Sequence, residues 1–184
     1  MKSKLGSVCY AMQSFKPYVS LNTLKMIYYF SFHSVMTCVL LLWGHSSDSI
    51  KNVRLCRKII RIMMGCRNSD SCRKLFFNLE ILLLPSQYIL SLLLFMKRNR
   101  NQFLANSEIY HIDTRQHTNF QYLPVNLSEY QKGVHRLGVK VFNMLPSYIK
   151  TESDNPKKFK LVLQKFLYEN SFYSMDEYFE LQKS

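Results

Sequence analysis

Glycine and acidic residues are scarce in this chain. Its 184 residues include five glycines and twelve acidic residues, against 25 lysines and arginines. The glycines, at positions 6, 44, 65, 133 and 138, form no G-x-x-x-x-G-K loop, which excludes P-loop nucleotide hydrolysis. No closely spaced aspartate pair follows a strand-like run, so the two metal ions of nucleotidyl transfer have no ligands here. The sequence therefore predicts neither catalytic residues nor a metal site.

The cysteines show no metal-binding or disulfide pattern. There are five, none in a C-x-x-C pair, at positions 9, 38, 56, 66 and 72. The N-terminus also lacks the basic start and apolar run of a signal peptide. We therefore expect reduced thiols and a cytoplasmic or nuclear protein that is not secreted.

One polar stretch, HIDTRQH at residues 111–117, leaves two interpretations open. His111, Asp113 and His117 are possible metal ligands, although short spacing without cysteine is a weak metal motif. Alternatively, His111, Thr114 and Arg115 anchor a phosphate or carboxylate, because arginine offers a rigid two-pronged donor. A structural pair between Arg115 and a nearby acid fits equally well.

Positive charge is concentrated in the middle of the chain. Residues 51–100 hold eleven basic and two acidic residues, compared with four and one in residues 1–50 and ten and nine in residues 101–184. Such a block attracts nucleic-acid phosphates or anionic lipid. The sequence therefore predicts a polyanionic partner.

The basic block begins with an amphipathic pattern over residues 51–64. At 3.6 residues per turn its apolar and basic residues fall on opposite faces. Ser49 is placed to cap this helix and Gly65 to end it. The apolar face holds Val53, Cys56, Ile59, Ile60 and Met63, and the basic face holds Lys51, Arg54, Lys58 and Arg61.

Two apolar runs raise the question of a membrane. Residues 24–43 are long enough to span a bilayer but include Lys25, His33 and three hydroxyl residues, and residues 81–95 are short and interrupted by Pro85. We expect buried core helices over 21–43 and from Pro85 to about Arg98. The alternative is a small membrane-associated helical protein with a span at 24–43 and a basic cytoplasmic face.

Three further helices follow from capping signals. Asp70 or Ser71 is placed to cap a short helix that ends at Leu79, and Asp154-Asn155-Pro156 starts another that extends to about residue 168. Ser174 and Glu177 have capping-box spacing before a last short helix. Residues 101–155, with Pro124, Pro146 and two glycines, predict loops and short elements.

Eight segments together resemble one protein family. In order they are KPYVSLNTLKMIYYFSFHSVMT at 16–37, Trp43-Gly44, RKIIRIMMG at 57–65, DSCRKLF at 70–76, LPSQYILSLLLF at 84–95, HIDTRQ at 111–116, the run YQKGV…FNMLPSYIK at 130–150, and PKKFK at 156–160. Their order and spacing resemble the C-terminal part of non-LTR retrotransposon reverse transcriptases of the jockey-like type.

The resemblance implies a mainly α fold and a division of the chain. Residues 1–20 would be the end of a palm domain, 21–100 a helical thumb-like bundle, 101–155 an irregular connector and 156–184 C-terminal helices. Since Met1 would fall inside the palm, we expect a truncated fragment of an RNA-directed DNA polymerase. The endonuclease and the catalytic palm with its Mg²⁺ would be missing, so this fragment is expected to have no cofactor and no enzyme activity.

The implied role is to bind nucleic acid through its backbone. The partner would be RNA, DNA or an RNA–DNA hybrid, with the missing palm as a packing partner and no membrane. The residues assigned to phosphate contacts are Lys51, Arg54, Arg57, Lys58, Arg61, Arg67, Arg73, Lys74 and Arg115.

Overall fold

The computed structural model describes residues 2–38, 40–43, 49–67, 69–103, 119–121 and 129–181. Within these ranges the side chains at 2–5, 38, 42–43, 49–50, 129–132 and 154 are outside the description. The described residues are mainly helical and include no strand, which confirms the expected mainly α class. The helices are α1 (Lys2–Phe15), α2 (Leu21–Ile27), α3 (Ser34–Cys38), α4 (Leu40–Trp43), α5 (Ser49–Met64), α6 (Cys72–Asn78), α7 (Leu84–Arg98), α8 (Glu129–Asn143), α9 (Ser147–Thr151), α10 (Pro156–Asn170) and α11 (Met175–Leu181).

The chain forms two compact units, residues 1–87 and residues 88–184. These limits differ from the sequence-based division at residues 20, 100 and 155. In the first unit α1 packs on α5, so residues 2–15 share a core with the predicted thumb-like segment. The identity of each segment stays a prediction.

Helix α5 is the central element of the first unit. It contacts α1, α2 and α6, and its buried residues include Cys56, Ile59, Ile60 and Met63. The helix begins at Ser49, whose side chain lies outside the described side chains, so the capping role of that residue stays a prediction. At the other end Gly65 has a φ of 70°, as predicted. The Gly65 amide donates to the Ile62 oxygen and the Cys66 amide to the Arg61 oxygen, which completes a Schellman motif.

The apolar segment before α5 contains a turn of π-helix that the sequence did not predict. Ser20 caps α2 by accepting from the Thr23 amide, and a π-helix (Tyr28–His33) then separates α2 from α3. The Thr37 hydroxyl donates to the His33 oxygen at 2.9 Å. A π turn widens the backbone ring by one residue, which turns the following side chains relative to a regular helix.

Helix α6 ends on a non-glycine residue in the left-handed conformation. The Ser71 hydroxyl makes no capping hydrogen bond to α6, whereas the Asp70 carboxylate accepts from the Arg67 amide at 2.8 Å. The predicted side-chain cap of α6 is therefore wrong. After the helix Glu80 has a φ of 55°, and the Ile81 amide donates to the Phe76 oxygen at 3.0 Å. This is a second Schellman motif, closed by a buried apolar pair.

In the second unit α8 occupies part of the segment 101–155, for which loops and short elements were expected. Its 15 residues include Gly133 and Gly138, which were interpreted as signs of loops. A glycine fits at position 138 of this helix because α7 passes very close: a Cβ there would lie 2.8 Å from the Met96 Sδ. The irregular-connector prediction is therefore wrong for residues 129–143, which are helical. The close contact with α7 explains one of the two glycines.

Asn143, the last residue of α8, binds residue 120 through a side-chain clamp. Asn143 accepts from the Phe120 amide at 2.8 Å and donates to the Phe120 oxygen at 2.9 Å. The Lys150 ammonium donates to the Asn143 oxygen at 2.6 Å and to the Asn119 side chain at 2.8 Å. Burial lowers the pKa of Lys150. One asparagine thus satisfies both backbone groups of a residue outside regular structure.

The C-terminal helices agree with the predictions. Asn155 caps α10 by accepting from the Lys157 and Lys158 amides, and the helix extends to Asn170. Ser174 caps α11 through the Glu177 amide at 3.1 Å. Tyr178 is fully buried, and its hydroxyl donates to the Val141 oxygen at 2.8 Å. The chain end from 175 to 181 is therefore docked on α8.

Across the described ranges, no helix combines the length and the apolar character required to cross a bilayer.

The two glycines of α8 predict opposite effects on stability. Gly133→Ala should raise the free energy of unfolding by about 0.5–1 kcal/mol, because nothing lies within 4 Å of the added Cβ and alanine favours helix. Gly138→Ala should lower it by about 1–3 kcal/mol through the clash with Met96. Urea unfolding followed by circular dichroism measures both, each variant controlling for the other. Equal effects of the two substitutions would contradict the packing of α8 on α7.

His33 predicts a pH dependence of the first unit. Burial lowers the pKa of His33 from 6.5, and a hydrogen bond with Gln87 opposes this only in part. The unfolded chain therefore binds a proton first as the pH falls through 6.5, so stability present above that pH is lost below it. Urea midpoints at about pH 7.5 and 5.5 should differ more for the native chain than for His33→Gln. Identical pH slopes would rule out this role.

Candidate nucleic-acid interface

The basic face of α5 is the first part of the candidate interface. Lys51, Arg54 and Lys58 are exposed, whereas Arg57 and Arg61 are half-buried. The side chains of Ile59 and Ile60 on the other side are fully buried. The predicted separation of apolar and basic faces is confirmed for these residues. Because the apolar face of the helix is buried, the opposite, basic face is directed toward solvent.

Arg61 holds the turn that follows α5. Its Nη2 and Nε donate to the Asp70 oxygen at 2.9 and 3.3 Å. The Cys72 Sγ lies 4.0 Å from the Arg57 oxygen, so the start of α6 sits beside α5. Arg61 therefore connects α5 to the next helix, a structural contact that periodicity alone did not suggest.

Helix α6 adds a second exposed basic segment. Arg73 and Lys74 are exposed, while Cys72 and Phe76 are buried. Arg67, in the turn before the helix, is also exposed. We call the eight predicted residues within residues 51–74 the basic surface; the ninth, Arg115, lies outside the described residues, as do His111, Asp113, Thr114 and His117. The basic surface is Lys51, Arg54, Arg57, Lys58, Arg61, Arg67, Arg73 and Lys74.

The electrostatics of the first unit strongly favour anions. Residues 1–87 contain twelve basic and three acidic residues. Two of the three acidic side chains have partners within the unit. The Asp70 carboxylate accepts a hydrogen bond from the Arg67 amide, and the Glu80 carboxylate lies 3.6 Å from the Lys25 ammonium. The third, Asp48, lies outside the described residues. Little negative charge therefore offsets the basic surface, and its positive potential extends into solvent.

Two buried thiols, Cys9 and Cys56, lie between α1 and α5. Cys9, Cys56, Cys66 and Cys72 are free. Burial raises the pKa of Cys56 to about 12 and also raises the pKa of Cys9, which nearby Lys58 lowers only in part. Both thiols are protonated at neutral pH, so they act as small apolar groups between α1 and α5.

Metal ligands do not gather at the interface. Within the part of the chain that the structure describes, no three His, Cys, Asp or Glu side chains come together as a metal site would need.

Two features of this surface were missed from the sequence. The exposed Phe77 lies one turn after Arg73 and Lys74 on the same face of α6. The i, i+3 and i, i+4 spacing of these residues could have shown this. The Lys16 ammonium reaches Gly65: a Cβ there would lie 2.8 Å from its Nζ. A cation at this negative helix end is favourable, but it comes from the turn after α1, so no local pattern signals it.

Comparisons with known proteins found no relative: no family model matches the chain, no curated protein matches it in sequence, and no solved structure matches its fold.

The two faces of α5 predict different responses to an added carboxylate. Ile60→Asp should lower the free energy of unfolding by about 3 kcal/mol or more, since it places an unpaired charge at a fully buried position. Arg54→Asp, at an exposed position of the same helix, should change it by less than about 1 kcal/mol. Urea unfolding measures both. An Ile60→Asp chain as stable as Arg54→Asp would reverse the assigned orientation of α5.

Proposed function

We propose that this chain binds the sugar–phosphate backbone of RNA, DNA or an RNA–DNA hybrid through the basic surface and carries out no catalysis itself. The observation that supports this most is the placement of the charge. An apolar stripe anchors α5, its exposed basic face points away from that stripe, and α6 continues the surface with Arg73 and Lys74.

The dimensions suit a nucleic-acid backbone. From Lys51 to Arg61 the helix rises about 15 Å at 1.5 Å per residue. Duplex DNA carries one charge per about 1.7 Å of axis, so such a helix lies beside several phosphates. Lysine and arginine side chains can then replace condensed counterions, and their release drives binding.

The resemblance adds a biological setting to this proposal. The chain resembles the thumb and C-terminal extension of a non-LTR retrotransposon reverse transcriptase, in which a thumb holds template and primer. We therefore propose a fragment of such an enzyme, located in the cytoplasm or nucleus, whose packing partner is the palm. The palm would also supply the catalytic aspartates and Mg²⁺.

Charge reversal tests the basic surface directly. Arg54, Lys58 and Lys74 are chosen because all three are exposed, whereas Arg61 also holds the turn before α6. Replacing the three with Glu should weaken binding of an RNA–DNA hybrid at low salt by at least about 100-fold and reduce the salt slope by about 3, one unit per lost phosphate contact. Fluorescence anisotropy across a salt series measures both quantities.

The second unit provides a matched control. Arg136, Lys157 and Lys160 are exposed there, and replacing them with Glu changes the net charge by the same amount. This control should keep both the affinity and the slope close to those of the native chain. Equal losses in the two variants would mean that net charge alone attracts the probe, and the basic surface would then not be the binding site.

A further inference from the structure

Exposed aromatic side chains border the basic surface in the first unit. Phe77 is 58% exposed and lies one turn after the exposed Arg73 and Lys74, on the same face of α6. An aromatic ring beside cations combines the two kinds of group that contact single-stranded nucleic acid.

The turn after α6 joins this ring to the π-helical segment. The Lys25 ammonium lies 3.6 Å from the Glu80 carboxylate, and the Tyr29 hydroxyl donates to the Glu80 oxygen at 3.4 Å. Glu80 follows Phe77 by three residues. Glu80 therefore connects the turn after α6, which begins two residues beyond Phe77, to Tyr29 and Lys25.

An open apolar groove lies along this segment. Phe30 is 85% exposed and Met26 is 72% exposed. The groove has a volume of about 920 Å³ and is lined by Asn22, Lys25, Met26, Tyr29, Phe30 and Ser34.

The ring of Tyr29 is held in place before any ligand binds. It makes edge-to-face contacts with Tyr28 at 5.5 Å and with His33 at 5.2 Å between ring centroids. Its hydroxyl is bonded to Glu80 as well. A ring fixed from two sides loses little conformational entropy on stacking.

We propose that Tyr29, Phe30 and Phe77 form an aromatic surface that stacks the unpaired bases of a single strand leaving the nucleic acid on the basic surface. This inference rests on the proposed function and names its substrate as a junction between duplex and single strand. Proteins that bind single strands combine a cationic track with aromatic side chains, because every base has a π face and every linkage a phosphate.

The charge of the first unit favours this occupant. Its twelve basic and three acidic residues attract a polyanion and repel a basic protein surface. The negative charge of the exposed Glu80 carboxylate is offset by the Lys25 ammonium. A single strand supplies both the phosphates for the cations and the flat apolar faces for the rings.

The test compares two probes with the full chain. One is a blunt RNA–DNA hybrid, and the other is the same hybrid with a single-stranded extension that carries 2-aminopurine, made in RNA and in DNA. The extension should raise the affinity about tenfold, as expected for one or two stacked bases, and should quench the 2-aminopurine fluorescence.

The double variant Phe30→Leu, Phe77→Leu keeps apolar side chains and removes two rings. It should bind the blunt hybrid as the native chain does, with the same salt slope, and lose the gain from the extension. Tyr148→Leu removes a ring that is 55% exposed in the second unit and should change neither property. Circular dichroism confirms that each variant folds.

The outcomes separate the two proposals. Binding of the blunt hybrid without any gain or quenching from the extension overturns the aromatic surface and leaves the proposed function intact. No binding of either probe overturns both. A gain that survives in the double variant places the stacking elsewhere. A native chain that self-associates through these rings, seen as a smaller mass for the double variant in light scattering, assigns the face to a second copy and overturns the inference.

Discussion

The burial of one stripe of α5 is the constraint on which the first unit depends. Ile59 and Ile60 have no exposed surface, and α1, α2 and α6 all contact this helix. A helix buried on one side has a fixed rotation, so the same packing that builds the core also decides where its cations point. The packing of the core therefore also sets the position of the basic surface.

Sequence reasoning succeeded where the controlling interactions are local. Helix α5, the cap at Asn155 and the cap at Ser174 follow from periodicity and from side chains that bond amides two or three residues away. Most of the basic surface was found for the same reason, because a period of 3.6 residues sorts a helix into faces. Its extension onto α6 was found from the cluster of charge.

The features that were missed depend on distant parts of the chain. Gly138 suggests a loop until Met96 of α7 is seen against it, and the clamp from Asn143 to Phe120 joins residues 23 apart. Two residues of the segment FNMLPSYIK, Asn143 and Lys150, serve this clamp, so part of the family resemblance coincides with structural contacts. Helix α1 was missed because its buried residues, Cys9 and Met12, form only a short apolar stripe.

The shortage of glycine has a further consequence for the ends of helices. Among the described residues Gly65 takes a left-handed conformation easily, but Glu80 and Ser171, with φ of 55° and 46°, adopt it with side chains present. Each such residue costs about 1–2 kcal/mol relative to a right-handed one. A change to glycine at either position would therefore raise the free energy of unfolding by relieving the backbone strain. At Glu80 the same change would also remove the ion pair with Lys25.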